Sequence, residues 1–242
     1  MATVRVGSAR SSFGDTTRGD QNGGKEVSTQ AWYKHSLGWV MLRAKDDAKL
    51  AKIGQLMENA CNNDLIGYSQ EDRDSLYSAV KDKGFDPGKC TKPANTDCSA
   101  CVRVCVNGAG ITVGNIRTSD MVDKLTATGA FTKYTSAKYT ESSEYLRRGD
   151  ILVTKVKGHT VVVLDDGPKA EKSADGKKLT INNGTYYVRK TPTTKESNYI
   201  MIGAKALTVH SGDVVDLLGT EDGWYKIKHK GYTGYVSGKA VK

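Results

Sequence analysis

The chain predicts an α+β domain followed by a small all-β barrel. Three observations carry that reading. Helix-period apolar stripes run through 46–128, ahead of a compact hairpin of two apolar strands at 151–164. The stretch 168–183 is polar and has no hydrophobic period, as in a linker. From 184 onward short strands alternate with turns at the regular spacing of a small barrel. The expected organisation is a first domain over 1–167, a linker over 168–183 and a second domain over 184–242.

Residues 1–24 are rich in Gly, Ser, Asp and Thr and read as an irregular arm. Two strands at 26–33 and 39–43 flank a turn at 34–38. A clear amphipathic helix covers 46–62, with Leu50, Ile53, Leu56, Met57, Ala60 and Cys61 on one stripe. A second helix over 70–83 carries Leu76, Tyr77 and Val80 and stops at Gly84. Asp86-Pro87-Gly88 is a turn. The third helix, 97–109, has Asp97 as its N-cap and Cys101, Val102, Cys105 and Ala109 at helical spacing. A fourth helix over 119–128 ends at Gly129. The strands 151–156 and 159–164 form a hairpin across Lys157-Gly158. Beyond the linker, strands are expected around Tyr186-Tyr187-Val188-Arg189, Leu207-Thr208-Val209, 214–218, 223–227 and Gly234-Tyr235-Val236.

Composition narrows the function. The 242 residues allow one large domain or a medium domain with a small one. No apolar run is long enough to span a bilayer, so membrane insertion is not expected. The first residues lack the apolar stretch of a secretory signal, so synthesis in the cytoplasm is expected. The formal net charge is +9, and 168–242 holds 13 Lys and Arg against 7 Asp and Glu. A basic C-terminal module suggests an anionic polymer as partner, and no nucleic-acid motif accompanies it. Five cysteines, Cys61, Cys90, Cys98, Cys101 and Cys105, are an odd number without regular spacing, so a disulfide framework is not expected. Cys98, Cys101 and Cys105 share one helical face with valines between, which suits core packing better than a zinc site with its fourth ligand. No metal or other cofactor is expected.

Two residues stand out for chemistry. Cys98 opens the third helix, where free N–H groups and the helix dipole favour a thiolate. His159 opens the second hairpin strand, and a thiol nucleophile needs such a base. Of the other histidines, His35 lies in a turn, and His210 and His229 lie in the C-terminal module. Cys61 sits on an apolar stripe and reads as packing.

The segments "TDCSACVRVC" and "RRGDILVTKVKGHTVVVLDDG" resemble the Asp-Cys-Ser and Gly-His-Thr blocks of NlpC-type and CHAP-type cysteine peptidases and amidases. These are papain-like enzymes that cut bacterial peptidoglycan. With "RGDQNGGKEVSTQAWYKHSLGWV" and "ENACNNDLIGYSQEDRDSLY", the run over roughly 8–167 resembles cell-wall lysins of phages and prophages of Gram-positive bacteria. The order "VRKTP", "GDVVDLL", "DGWYKI", "GYTGYV" resembles bacterial SH3-like wall-binding modules over nearly all of 184–242, with Tyr187 where an Asn usually stands.

The resemblance implies a papain-like catalytic domain followed by an SH3-like barrel, with Cys98 as nucleophile and His159 as general base. In NlpC-type enzymes a polar residue on the strand after the histidine strand orients the imidazole. Here the chain runs into the linker instead. An N-terminal strand filling that edge makes Glu26 the candidate third member and Gln21 the second choice, while Asp165 and Asp166 read as turn residues. Tyr68 resembles a tyrosine that helps bind the oxyanion, and is otherwise core. Trp224, Tyr225, Tyr232 and Tyr235 are the candidate wall-binding groove, although Trp224 and Tyr235 also suit the barrel core.

The implied function is a phage endolysin-type peptidoglycan hydrolase, either an endopeptidase or an N-acetylmuramoyl-L-alanine amidase. Its partners would be peptidoglycan and associated anionic wall polymers, reached after release from the host cytoplasm through a membrane pore. The alternative, motivated by the incomplete triad, is a catalytically degenerate wall-binding or structural protein.

Overall fold

A computed structural model describes residues 3–11, 26–156, 158–170, 178–221 and 223–241. The chain divides into two compact units, Met1–Ala170 and Glu171–Lys242.

The first unit is built on a six-stranded antiparallel sheet. Its strands are β1 (Arg5–Ala9), β2 (Val27–Ala31), β3 (Trp39–Ala44), β6 (Phe131–Tyr134), β7 (Ile151–Thr154) and β8 (Thr160–Val163), in the order β2-β1-β8-β7-β3-β6. A separate parallel pair joins β4 (Ile66–Tyr68) to β5 (Ala94–Thr96). The helices are α1 (Asp47–Cys61), α2 (Ser75–Val80), α3 (Cys98–Gly108), α4 (Met121–Ala127) and α5 (Ala137–Thr140).

Strand alternation sorts the sheet into two faces. Leu42, Ala44, Ile151, Val153, Val162 and Leu164 point into the larger core, which holds the buried stripes of α1 and α3. Val6, Trp39, Met41, Leu152, Val161 and Val163 point the other way, into a smaller core closed by Leu146, Tyr134 and Tyr139. The stripe of α1 buries Leu50, Ile53, Leu56, Met57, Ala60 and Cys61, the six residues its periodicity selects. Each large apolar side chain so buried stabilises the fold by about 1.5–3 kcal/mol.

Three local features differ from the sequence reading. The supposed arm contains β1, whose Val6 is buried, as is Val4 just before it, and whose Gly7 passes against α1. A Cβ at Gly7 would lie 2.8 Å from Cys61 Sγ and Met57 Cγ, so the residue that made this segment look irregular is what lets the strand pack. The second helix begins only at Ser75, because Ser69 Oγ accepts the N–H of Asp72 and Arg73 turns inward. The strands β4, β5 and β6 are too short to show a period. The hairpin turn residue Lys157 lies outside the described residues.

The second unit comprises β9 (Lys178–Thr180), β10 (Thr185–Tyr187), β11 (Met201–Ile202), β12 (Lys205–Ala206), β13 (Thr208–His210), β14 (Val214–Glu221), β15 (Trp224–His229) and β16 (Tyr232–Ser237). A four-stranded sheet β16-β15-β14-β9 and the pairs β10-β13 and β11-β12 enclose Ile181, Val188, Val209, Val215, Ile227 and Val236. Strand-rich architecture of this kind is consistent with an SH3-like domain. The expected linker extends too far. Lys178–Thr180 pairs with β14, and Leu179 and Ile181 are buried in this core.

Candidate active site

The start of α3 is fixed by a set of buried hydrogen bonds. Asp97 is extended (φ −98°, ψ 178°), and its Oδ1 accepts from the N–H of Ala100 at 2.6 Å and the hydroxyl of Ser99 at 2.8 Å. The same carboxylate receives Arg73, Nε to Oδ2 at 2.6 Å and Nη2 to Oδ1 at 3.1 Å. Arg73 also donates to Ser99 Oγ, the carbonyl of Ile116 and the side chain of Asn115. Arg73 and Asp97 are both buried. One guanidinium thus ties the N-cap of α3 to the loop ahead of α4. Sequence reading missed Arg73, which sits in the charged run Glu71-Asp72-Arg73-Asp74 and looks like a solvated face.

Cys98 is the first residue of α3 and is 8 % exposed. The β1–β8 ladder pairs Val6↔Val163 and Gly7↔Val162, and the backbone N–H groups of Thr160 and Ser99 lie on the Cys98 side, where they favour the thiolate. The thiol therefore meets the backbone of the strand that His159 precedes. Its acidity is the reverse of the sequence expectation. Burial, with the Asp97 charge beside it, pushes the thiol up to about 12, and the two N–H donors offset this only in part. Desolvation of a sulfur inside the core outweighs the helix terminus.

His159 is anchored by its backbone. Its N–H donates to Thr154 Oγ1 at 2.9 Å and its carbonyl accepts from the N–H of Thr154 at 3.0 Å. Burial pushes its imidazole down to about 4, and the neighbouring His35 and Arg10 add to this. Among the described residues His159 makes no hydrogen bond to Cys98. His35 belongs to the same neighbourhood, which the sequence did not suggest. Its ring lies 5.1 Å from that of Trp39 and 5.9 Å from that of Tyr33, and its Nδ1 accepts the N–H of Leu37.

Burial raises the phenols of Tyr33 and Tyr68, and each also senses Cys98. Tyr68, expected near the oxyanion, stands close to Cys98 and Asp97, with its hydroxyl accepting from Gln70 Nε2 at 2.8 Å. Glu26 has a different place from the one anticipated. The edge beside β8 is filled by β1, and β2, which Glu26 precedes, lies one strand further out. Its buried carboxylate instead accepts the backbone N–H of Tyr68 at 2.7 Å. Glu26 therefore holds the Tyr68 strand. Gln21 lies outside the described residues.

This end of the sheet brings together a protonated thiol, a neutral imidazole, two phenols and the cationic Arg10. A thiol and a neutral imidazole are the two kinds of group that nucleophilic attack with general-base help uses. Among the described residues no group of three or more His, Cys, Asp or Glu side chains is placed to hold a metal ion. Nor is any helix there long and apolar enough to cross a membrane.

The second unit carries an aromatic and cationic surface. The Arg189 guanidinium lies 4.9 Å from the Tyr199 ring centroid and 5.9 Å from that of Trp224, and Tyr187 packs on Tyr199 at 4.4 Å. Trp224 and Tyr235 are only half-buried and stand outside the apolar core, so they are not barrel core. Tyr235 donates to Glu221 Oε2 at 3.1 Å. Tyr225 leans on the core, and Tyr232 is exposed. Arg189, Tyr187 and Tyr199 were not singled out by sequence. Tyr187 and Arg189 lie two residues apart in the sequence, but Tyr199 is brought to them by the fold.

A family model described as an endolysin-like domain matches residues 10–170, which is 161 of the 242 residues and includes Cys98, His159, Tyr68 and Arg73. A model of the bacterial SH3 domain matches 205–242, including Trp224 and Tyr235. No curated protein and no solved structure matches the chain. By its larger part, the chain belongs to the endolysin-like domain family, and it carries a bacterial SH3 domain at its C terminus.

Proposed function

We propose that the protein is a peptidoglycan hydrolase of the phage endolysin type, in which a papain-like domain uses Cys98 and His159 and the SH3-like module holds the wall. The observation that carries this reading is the seat of Cys98. Its sulfur is buried at the start of α3, which the Asp97 carboxylate caps and Arg73 braces, inside the endolysin-like match. Cys98 attacks an amide carbonyl of the stem peptide. His159, neutral near pH 7, takes the thiol proton and later protonates the leaving amine. Because the resting thiol is protonated, proton removal accompanies attack instead of preceding it. The N–H groups at the start of α3, with Tyr68, stabilise the oxyanion, and water releases the acyl-enzyme. Glu26 acts as a positioning residue through Tyr68. In the second module, Trp224, Tyr225, Tyr232 and Tyr235, with Arg189 and its tyrosines, meet peptidoglycan and its anionic polymers.

Mass spectrometry of peptidoglycan digested by the whole chain tests the reading. New amino termini within stem peptides indicate an endopeptidase, and free lactyl groups on muramic acid indicate an amidase. A second reading, a wall-binding protein with a silent catalytic domain, is favoured by the missing Cys98–His159 hydrogen bond and the raised thiol. Wall binding without any released fragment would decide for it.

A further inference from the structure

Cys98-Ser99-Ala100-Cys101 is a Cys-x-x-Cys step on the first turn of α3. Helix geometry places Cα atoms three residues apart at about 5 Å. That lies inside the window of roughly 4.4–6.8 Å which a disulfide spans. Helical Cα–Cβ bonds tilt toward the N terminus, so the Cys101 side chain leans back over Cys98. The residues between do not obstruct. Ser99 is held by Asp97 and Arg73, and Ala100 ends at its methyl. Cys105, seven residues on, is about 10 Å from Cys98 along the axis and out of reach. All five cysteines are free thiols, and the Cys101 sulfur rests 3.9 Å from Met57 Sδ, next to Cys105. Rotation about χ1 of Cys101 would carry its sulfur from these neighbours to Cys98.

We propose that Cys98 and Cys101 form a reversible disulfide, which makes the nucleophile available only in the reduced protein. The oxidant is a low-molecular-weight disulfide. The Cys98 thiolate attacks one of its sulfurs, the S–S bond breaks, and the leaving thiolate takes up the proton that Cys98 lost. The Cys101 thiolate then attacks the Cys98 sulfur of the mixed disulfide, and the second small thiol leaves with the Cys101 proton. Two protein thiols are oxidised by two electrons, and one small disulfide is reduced to two thiols. The effect on lysis rests on the hydrolase reading, whereas formation of the bond does not.

The test is peptide mapping of the full chain after incubation with oxidised glutathione, acid quench and alkylation of remaining thiols. The expected product is a peptide holding Cys98 and Cys101 that is two hydrogens lighter and unalkylated at both. Wall lysis should be lost in parallel and restored by dithiothreitol. Cys101→Ala should keep lysis when reduced and retain glutathione on Cys98 when oxidised. A stable glutathione adduct on Cys98 in the wild type, or a Cys61–Cys101 link, overturns the proposal. If Cys101→Ala does not fold, the wild-type map decides by itself. Should the reduced protein release no wall fragments, the hydrolase reading fails while the map still reports on the disulfide.

Discussion

Arg73 and Asp97 form a buried two-point ion pair, at 2.6 and 3.1 Å, and the Asp97 carboxylate that receives it is also the N-cap of the helix bearing Cys98. Position of the sulfur therefore depends on a residue 25 positions earlier in the chain. Removing one partner of such a pair leaves a buried charge and costs about 3–5 kcal/mol. Arg73→Ala should lower stability on that scale in urea unfolding. Arg73→Lys should also destabilise, because a single ammonium cannot reproduce the fork or reach Ile116 and Ser99 together. Wild-type stability in Arg73→Lys would show that the pair does not hold the turn.

Cys98→Ala should abolish lysis by several orders of magnitude while leaving the circular dichroism spectrum and unfolding midpoint close to wild type. Alanine keeps the Cβ and removes only the sulfur, and the turn stays held by Asp97 and Arg73. Full activity in this variant would end the cysteine-hydrolase reading.

The imidazole of His159 has its pKa lowered from 6.5 to about 4, so its charged form is disfavoured in the folded state. The unfolded chain then binds this proton first as pH falls. Its contribution is complete above about pH 6.5, declines down to about pH 4 and is constant below. The loss is about 3 kcal/mol, taking 1.36 kcal/mol per pH unit. His159→Asn should flatten this part of the acid limb when urea midpoints are compared at pH 7 and pH 4.5. In the free enzyme, kcat/KM should fall on the acid side near pH 4 and not near 6.5, since the base works only when neutral.

Gly149→Ala should be strongly destabilising. Gly149 has φ +96°, and a Cβ there would lie 1.9 Å from the carbonyl oxygen of Leu50. The backbone strain adds about 1–3 kcal/mol, and the overlap with α1 a further 1–3 or so. Gly114→Ala, with open space around it, serves as the control. Thermal unfolding of the two variants side by side is the measurement, and equal midpoints would contradict it.

Residues 171–242 should fold alone and bind walls, whereas 184–242 should be less stable because it lacks β9 and the buried Leu179 and Ile181. Binding should weaken with salt, since exposed charges are screened over about 8–10 Å near physiological ionic strength. Arg189→Ala should weaken it further at low salt. A wall pull-down across a salt series measures all three, and salt-independent binding by 171–242 would count against the charge argument.

What was legible in the sequence was local. The stripe of α1, the Asp97 cap, the stops at Gly84 and Gly129 and the 151–164 hairpin each follow from residues within a few positions of one another. So do the helix start at Cys98 and the strand that His159 precedes. Periodicity and capping are short-range physics, and a short window of sequence contains them.

The remainder depends on contacts between distant segments. Only the folded chain puts β1 beside β8, buries the Cys98 sulfur, sends Glu26 to Tyr68 and pairs the buried Arg73 with Asp97. It also decides the acidity of the site. The sequence by itself determined that a cysteine begins a helix, where the terminus favours a thiolate. The tertiary structure determined that the sulfur is desolvated, which raises its pKa instead, because the cost of burying a charge exceeds what a helix terminus and two N–H groups return.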